Sequence, residues 1–212
     1  MNDFENDDML ADLVTKIYNQ LCQMIRHGEL KPGQKLVQTD LSMQLGVSRT
    51  PLLQALNKLN GDHFVVNVPR HGSYVRNFSD DEIIGLLDTR LILEKEALLT
   101  ISGISDENRK KLSGSLERQK ELLGDTTRFY DEDVRFHLLL VSLSSNPVIV
   151  QLLEPFAILY QTENRLKTPA ESLGEHTAIT EALLEGDWKK AAKLVTEHLN
   201  CRNRDILRGN RK

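Results

Sequence analysis

Three histidines and one aspartate in the second half of the chain have the types and spacing of metal ligands. Asp133 and His137 are four residues apart in D-V-R-F-H, so a helix would place carboxylate and imidazole on one face. His176 and His198 fall near the start of one predicted helix and the end of the next, at one level if these helices are antiparallel. Such a set suits Zn, Ni, Mn or Fe(II) and can leave positions open for water or an anion. Spacing alone equally fits ordinary surface or core side chains.

A guanidinium in an apolar setting is the second chemical feature. Arg90 lies in L-D-T-R-L-I-L-E, on the first helix of the second half, where a charge is costly unless it is paired. The pattern fits an internal ion pair with Glu94, four residues further on, or a clamp for the carboxylate of a ligand. The residues alone leave both interpretations open.

The segment from Leu45 to Leu59 has the pattern of a helix, a tight turn and a second helix. Gly46 can end the first helix, Ser48 can cap the second, and Pro51 fits its first turn. The N-terminal end of the second helix presents three side chains able to bond phosphates or base edges: Ser48, Arg49 and Thr50. The pattern predicts a helix-turn-helix, although an ordinary helical hairpin would look similar.

Two short β-rich runs follow, F-V-V-N-V and S-Y-V-R, joined by a basic tip at Pro69 to Gly72. A helix is predicted from Ala11 to His27 and a short one from Asp40 to Leu45. Beyond a capping box at Ser79 the strand signals stop, and helices are predicted after it and at 105–123, 126–144, 147–166, 170–185 and 187–208. The fold class is therefore mainly α, an N-terminal winged helix-turn-helix with a small β-hairpin wing plus a C-terminal all-α bundle.

Charge is distributed unevenly along the chain. Residues 1–12 carry five acids and no base, residues 13–78 carry eight basic and three acidic residues, and the rest has a net charge of −4. We expect an acidic N-terminal arm at 1–12, a basic winged-helix domain at 13–78 that contacts phosphate, and an all-helical domain at 79–212 with a different task.

Several classes of protein are disfavoured by the sequence. No apolar run approaches the roughly 20 residues that span a membrane, and the acidic N-terminus is the opposite of a signal peptide's basic start. We therefore expect no membrane partner and a cytoplasmic protein. Cys22 and Cys201 lie far apart and are expected to be reduced thiols rather than metal ligands.

The chain also resembles a known family over residues 13–208. The runs I-R-H-G-E-L-K-P-G-Q-K-L, L-G-V-S-R-T-P and P-R-H-G-S-Y-V resemble the winged-helix domain of the GntR family of bacterial transcription regulators. The second half resembles the FCD effector domain of the FadR subfamily. Four motifs carry this second resemblance: R-x-x-L-E at 90–94, D-x-x-x-H at 133–137, E-H at 175–176, and G-D-W-x-x-A…H-L at 186–199.

This resemblance implies a homodimeric regulator, expected to be a repressor, that binds a pseudo-palindromic operator and responds to a small organic acid. The matching metal positions are Asp133, His137, His176 and His198, with Arg90 as the partner of the effector's carboxylate. DNA contacts are expected from Lys35, Ser48, Arg49, Thr50, Arg70, His71 and Gly72. The resemblance leaves two rival functions: a metal-dependent hydrolase using the Asp/His site, and a protein-interaction module that has lost DNA binding.

One departure from the family pattern concerns the recognition helix. After S-R-T-P the family usually continues V-R-E-A-L, whereas this chain reads L-L-Q-A-L, with Leu53 in place of a DNA-contacting arginine and Gln54 in place of the acid. A base-contacting arginine is worth about 1–3 kcal/mol. We therefore expect either an operator unlike that of typical relatives, or more reliance on Arg49, Lys35 and Arg70.

Overall fold

The structure, a computed structural model, describes residues 3–153 and 168–199. The chain divides between Phe78 and Ser79 into two compact units. The first is a helical unit with a small sheet, and the second is helical throughout its described part, as the fold class predicted. Among the described residues, none of the helices has the length and apolarity needed to cross a membrane.

The first unit consists of three helices and three short strands. In chain order they are α1 (Asp3–Arg26), β1 (Lys35–Leu36), α2 (Gln38–Leu45), α3 (Arg49–Gly61), β2 (Val65–Val68) and β3 (Gly72–Val75). The sheet has the order β1-β3-β2, and both strand pairs are antiparallel. The core is formed by apolar side chains of α1, α3 and the strands, among them Leu21, Leu52, Leu56, Leu59 and Val65.

The start of the first helix and one short strand were not predicted correctly for this unit. Helix α1 begins at Asp3, not at Ala11, so the predicted acidic arm is helical from its third residue. No proline or glycine interrupts that stretch, so the helical pattern of the following residues can extend into it. Strand β1 was not predicted from the sequence, because two residues are too few to produce an alternating pattern.

The helix-turn-helix forms as predicted from the residues that end its first helix and begin its second. Gly46 ends α2 in the left-handed region, at φ 66°, where a residue with a Cβ would be strained. Ser48 is the N-cap residue of α3, but its side chain makes no capping hydrogen bond. The predicted cap is therefore correct in position only, and the exposed Ser48 hydroxyl lies at the helix N-terminus.

The second unit contains six described helices. They are α4 (Asp80–Leu99), α5 (Asp106–Glu121), α6 (Thr126–Ser142), α7 (Pro147–Leu153), α8 (Pro169–Leu184) and α9 (Trp188–Leu199). The capping box predicted at Ser79 is confirmed, since its hydroxyl accepts from the backbone N–H of Glu82, whose carboxylate accepts from the backbone N–H of Ser79. The continuations predicted at 154–166 and 200–208 lie outside the described residues.

The largest described core cluster of this unit joins several helices. Its centre is made of Leu112 from α5, Phe136 and Leu140 from α6, Ile179 from α8 and Val195 from α9, all of which are 1% exposed or less. This apolar layer fixes the relative positions of α6, α8 and α9, which also carry the four predicted metal ligands. The packing therefore positions the site.

Candidate metal centre

The structure brings the four predicted metal ligands together inside the second unit. Asp133 and His137 lie one turn apart on α6, His176 lies midway along α8, and His198 lies in the last turn of α9. All four are buried, and each offers a ligand atom within 4.8 Å of the other three. They come from three helices, so the folded bundle alone gathers them.

The distances between ligand atoms match those around a transition metal. The Nε2 atom of His198 is 3.1 Å from that of His137 and 3.3 Å from that of His176, and the Nε2 atom of His176 is 3.4 Å from Asp133 Oδ1. Two ligands at about 2.1 Å from one ion lie about 3.0 Å apart at a right angle and about 3.4 Å apart at the tetrahedral angle. The site therefore needs little rearrangement to hold an ion.

The hydrogen bonds behind the imidazoles set their tautomers. Each Nδ1 donates to an oxygen: His137 to Glu94 at 2.6 Å, His198 to Glu175 at 2.6 Å, and His176 to the side-chain oxygen of Gln119 at 2.7 Å. A proton on Nδ1 leaves the Nε2 lone pair available as a ligand. Three lone pairs facing one another cannot satisfy one another by hydrogen bonding, so this donor set fits a cation.

Arg90 takes part in this arrangement through Glu94. Its Nε atom donates to Glu94 Oε1 at 2.6 Å, while the other oxygen of Glu94 accepts from His137. The ion pair that the sequence suggested is therefore present, and both side chains are buried. Burial raises the pKa of the Glu94 carboxyl, but the opposite effect of His137 and Arg90 is larger and holds this pKa well below its usual range.

The charge of the described cluster suits a divalent ion. With neutral imidazoles, the carboxylates of Asp133, Glu94 and Glu175 and the guanidinium of Arg90 sum to −2. The side chains of Asp133, Glu94 and Arg90 are buried, where charge is costly, whereas that of Glu175 is 41% exposed and is partly screened by solvent. A divalent cation would neutralise the net negative charge.

Helix α5 supports the site from a second direction. It contributes Gln119, and it is tied to α6 by Glu132, the residue before the ligand Asp133. Buried Glu132 accepts from Ser115 Oγ at 3.0 Å and from Arg118 Nε at 2.9 Å. In addition, the ring of Phe136 stacks on that of His176, with 4.2 Å between centroids. These contacts restrict the rotation of the ligand side chains.

Sequence reasoning missed the three residues that orient the imidazoles. Glu94 was considered only as the partner of Arg90, Glu175 appeared only within a motif, and Gln119 was not considered. The first two carry a signal, because a carboxylate beside a ligand histidine in sequence, or next to a buried arginine, is a natural hydrogen-bond acceptor. Gln119 carries none, because it is 57 residues from His176 in sequence.

The residues predicted to contact DNA all lie on the surface of the first unit. Ser48, Arg49 and Thr50 are exposed at the N-terminal end of α3. The wing tip between β2 and β3 exposes Arg70, His71 and Gly72, and Arg70 adopts a φ of 64°. Lys35 on β1 lies beside the wing: if Gly72 were replaced by a residue with a Cβ atom, that atom would be 3.5 Å from the Cε atom of Lys35. The seven residues thus form a helix-end group and a wing group.

The comparisons with known proteins agree with both units. Residues 13–75 match the family described as "Bacterial regulatory proteins, gntR family", and residues 85–200, more than half of the chain, match the FCD domain. The chain belongs to the GntR family. Its FCD domain indicates the FadR-like subfamily. As a GntR-family protein it is a transcription regulator and not an enzyme, so the family match decides against the hydrolase alternative.

Individual relatives span nearly the whole chain. The uncharacterized HTH-type transcriptional regulator YdhC of Bacillus subtilis is 28% identical, and the match covers 94% of this chain and 93% of YdhC. The HTH-type transcriptional repressor RspR of Escherichia coli is 25% identical over 87% of this chain and 84% of its own. The solved structure of E. coli McbR/YncC has the same fold, with a TM-score of 0.80 at 22% sequence identity. The match covers 94% of this chain and 99% of McbR/YncC.

Proposed function

We propose that this GntR-family regulator is a cytoplasmic, homodimeric repressor that binds a pseudo-palindromic operator and responds to a small organic acid. The acid would bind beside a divalent metal ion held by Asp133, His137, His176 and His198. The observation that supports this proposal most directly is that three imidazole Nε2 atoms and one carboxylate converge in a buried cluster. A four-ligand site can leave positions open to an anion.

The geometry supports a sensing role in two respects. The ligands come from three helices, so any change in the ion's coordination acts on the packing of α6, α8 and α9. Arg90 lies behind His137 and supplies a guanidinium that we propose as the partner of the acid's carboxylate. Binding would then shift the population of conformations and change how two winged helices fit two half-sites.

The name of RspR, a transcriptional repressor, supports the sign of regulation. Exposed Arg49 at the start of α3 and basic Arg70 at the wing tip support contact with DNA through a recognition helix and a wing. The proposed ion is zinc, nickel, manganese or iron, since imidazole and carboxylate ligands suit all four.

The first experiment tests the metal and the acid together. Protein purified without chelator is analysed for metal content, and its thermal midpoint is measured with acetate, lactate, succinate and citrate, before and after chelation. We expect about one divalent ion per chain, and at least one acid that raises the midpoint only while metal is bound. Absence of metal from the wild-type protein, or equal stabilisation after chelation, would contradict the sensor.

Two matched histidine variants make this experiment specific. His176→Ala removes a ligand and should lose the ion, while His71→Ala removes an exposed wing histidine and should keep it. For DNA binding we expect the reverse: His71→Ala should weaken it, because His71 lies at the wing tip, while His176→Ala should leave it intact. If both variants lose the metal, the ion is not bound specifically by the four predicted ligands.

A second experiment tests DNA binding by the full chain on its own upstream DNA. Arg49→Ala should weaken binding at least tenfold, because it removes a charged side chain at the start of the recognition helix. Arg128→Ala, which removes an exposed arginine from the second unit, is the control and should bind like the wild type. Undetectable binding at low salt would instead favour the interaction module.

A further inference from the structure

Helix α3 exposes a leucine in the middle of its polar face. Its buried residues are Pro51, Leu52, Ala55, Leu56 and Leu59, which pack into the core of the first unit. The opposite face exposes Arg49, Thr50, Leu53, Gln54, Asn57 and Lys58. Within α3, all of which the structure describes, Leu53 is the one large apolar side chain on that face, and it is 39% exposed.

The position of Leu53 matters more than its exposure, because single exposed leucines are common on protein surfaces. Leu53 lies four residues after Arg49 and four before Asn57, so the three side chains form one stripe along the helix. In a helix-turn-helix the second helix lies in the major groove, and side chains of its outward face contact base edges. Leu53 therefore occupies a position facing the bases.

The major groove offers one apolar feature that is specific to a base. Thymine alone carries a C5-methyl group, whereas the other base edges present hydrogen-bond donors and acceptors that leucine cannot pair. Leucine next to such groups would leave them desolvated without a partner. We propose that Leu53 reads a thymine methyl in each half-site of the operator; this inference rests on the proposed DNA-binding function.

The neighbouring side chains fit the same reading. Four residues of helix advance by about 6 Å, which is a little less than two base-pair steps of about 3.4 Å. The thymine should therefore lie within about two base pairs of the base read by Arg49. The exposed amides of Gln54 and Asn57 are suited to adenine. Together, Leu53, Gln54 and Asn57 favour an A·T-rich half-site next to the base that Arg49 contacts.

The experiment removes the methyl group and nothing else. A binding duplex is first selected from a random double-stranded DNA library with the full-length wild-type protein. Each thymine of that duplex is then replaced in turn by deoxyuridine, and the Kd is measured at one fixed salt concentration. We expect one thymine per half-site at which the replacement weakens wild-type binding about fourfold, the effect of burying one methyl group.

The leucine is varied on the same duplexes. Leu53→Ala should weaken binding to the thymine duplex and lose the deoxyuridine effect at that position. Leu123→Ala, which truncates a leucine with the same 39% exposure in the second unit, should retain the effect. Leu53→Arg, put through a fresh selection, should enrich guanine at the position. Because Leu53 lies outside the core, all variants are expected to keep the wild-type circular dichroism spectrum.

Failure would be informative in different ways. If wild-type protein selects a duplex but no deoxyuridine replacement weakens binding, or the effect persists in Leu53→Ala, the inference about Leu53 is wrong while DNA binding stands. If the wild-type protein enriches no duplex at all, the proposed function fails, and the inference fails with it.

Discussion

The side chain that orients His176 is an amide, whereas those that orient His137 and His198 are carboxylates. Gln119 accepts from His176 Nδ1 at 2.7 Å and is fully buried. A carboxylate makes an imidazole a more basic ligand, and an amide fixes its orientation without adding charge. Since the cluster already carries an excess of two negative charges, a neutral partner at this position limits the cost of burying it.

Gln119→Leu should therefore weaken metal binding without removing a ligand. Loss of the acceptor frees His176 to rotate or to change tautomer, and we expect zinc affinity to fall about 10–100-fold. Competition with a chromophoric chelator measures this directly. Gln119→Glu keeps an acceptor and should bind zinc at least as tightly as the wild type, while Gln23→Leu, at an exposed position, is the neutral control. Unchanged affinity in Gln119→Leu would mean that Gln119 has no role in orienting His176.

Cys22 provides a prediction about pH. Burial raises the pKa of its thiol to about 11, an effect only partly offset by the hydrogen bond with Tyr18. The folded protein thus retains a proton that the unfolded chain releases near pH 8.5. The resulting stabilisation is complete below about pH 8.5 and is lost as the pH rises towards 11.

The measurement follows thiolate absorbance against pH in a Cys201→Ser background. We expect a midpoint near pH 11 in buffer and near 8.5 in urea, and no such signal after Cys22→Ala. A native midpoint close to 8.5 would show that the thiol is not shielded.

At the scale of single residues, the sequence predicted the four residues that converge in the bundle but not the side chains that support them. The D-x-x-x-H spacing and the resemblance were enough to name Asp133 and His137. The contact between Gln119 and His176 depends on how α5 packs against α8, and no local pattern records that packing. The same holds for the bond between Ser115 and Glu132, which joins two helices.

One buried carboxylate adds hydrogen bonds between α5 and α6 to their apolar packing. Glu132 accepts from Ser115 and Arg118 on α5 and from Arg135 on its own helix, at 3.3 Å. Its side chain is 2% exposed, whereas that of Arg118 is 54% exposed, so solvent screens part of the attraction. The hydrogen bonds and the burial of Glu132 therefore contribute more than the charges themselves.

Glu132→Gln should destabilise the second unit by about 2 kcal/mol, because a neutral amide weakens the charge-assisted bonds and places a donor opposite the two arginines. Urea unfolding measures the loss. Glu107→Gln, which changes a fully exposed glutamate on α5, should have little effect on the midpoint. Equal midpoints for Glu132→Gln and the wild type would indicate that apolar packing alone holds the two helices together.

At the scale of elements, the residues that end or begin helices were the most informative. Gly46 and the Ser79 capping box act through their immediate neighbours, so their effect can be read locally. The start of α1 at Asp3 could not be read this way, because a run of acids is compatible with a coil or with the first turns of a helix. Strand β1 exists only through its pairing with β3, in which Lys35 lies opposite Tyr74.

At the scale of the whole molecule, the two units carry different charges and different chemistry. Residues 13–78, which contain the helix-turn-helix, carry eight basic and three acidic residues, and the cluster of four predicted metal ligands belongs entirely to the unit that begins at Ser79. The chain has one tryptophan, Trp188, at the start of α9, where it packs against the core cluster of the second unit. Its fluorescence therefore reports unfolding of the unit that would hold the ion.

Removal of metal should destabilise this second unit selectively. An ion present at 100 times its Kd stabilises the folded state by about 2.7 kcal/mol, provided that it binds the folded state alone. We expect chelation to lower the urea midpoint followed by Trp188 fluorescence by a corresponding amount in the wild type, and to leave that of His176→Ala unchanged. An equal shift in both proteins would mean that the chelator acts elsewhere. No shift in a wild-type protein known to contain metal would place the ion outside the cluster, because a cation that joins ligands from three helices must oppose their separation.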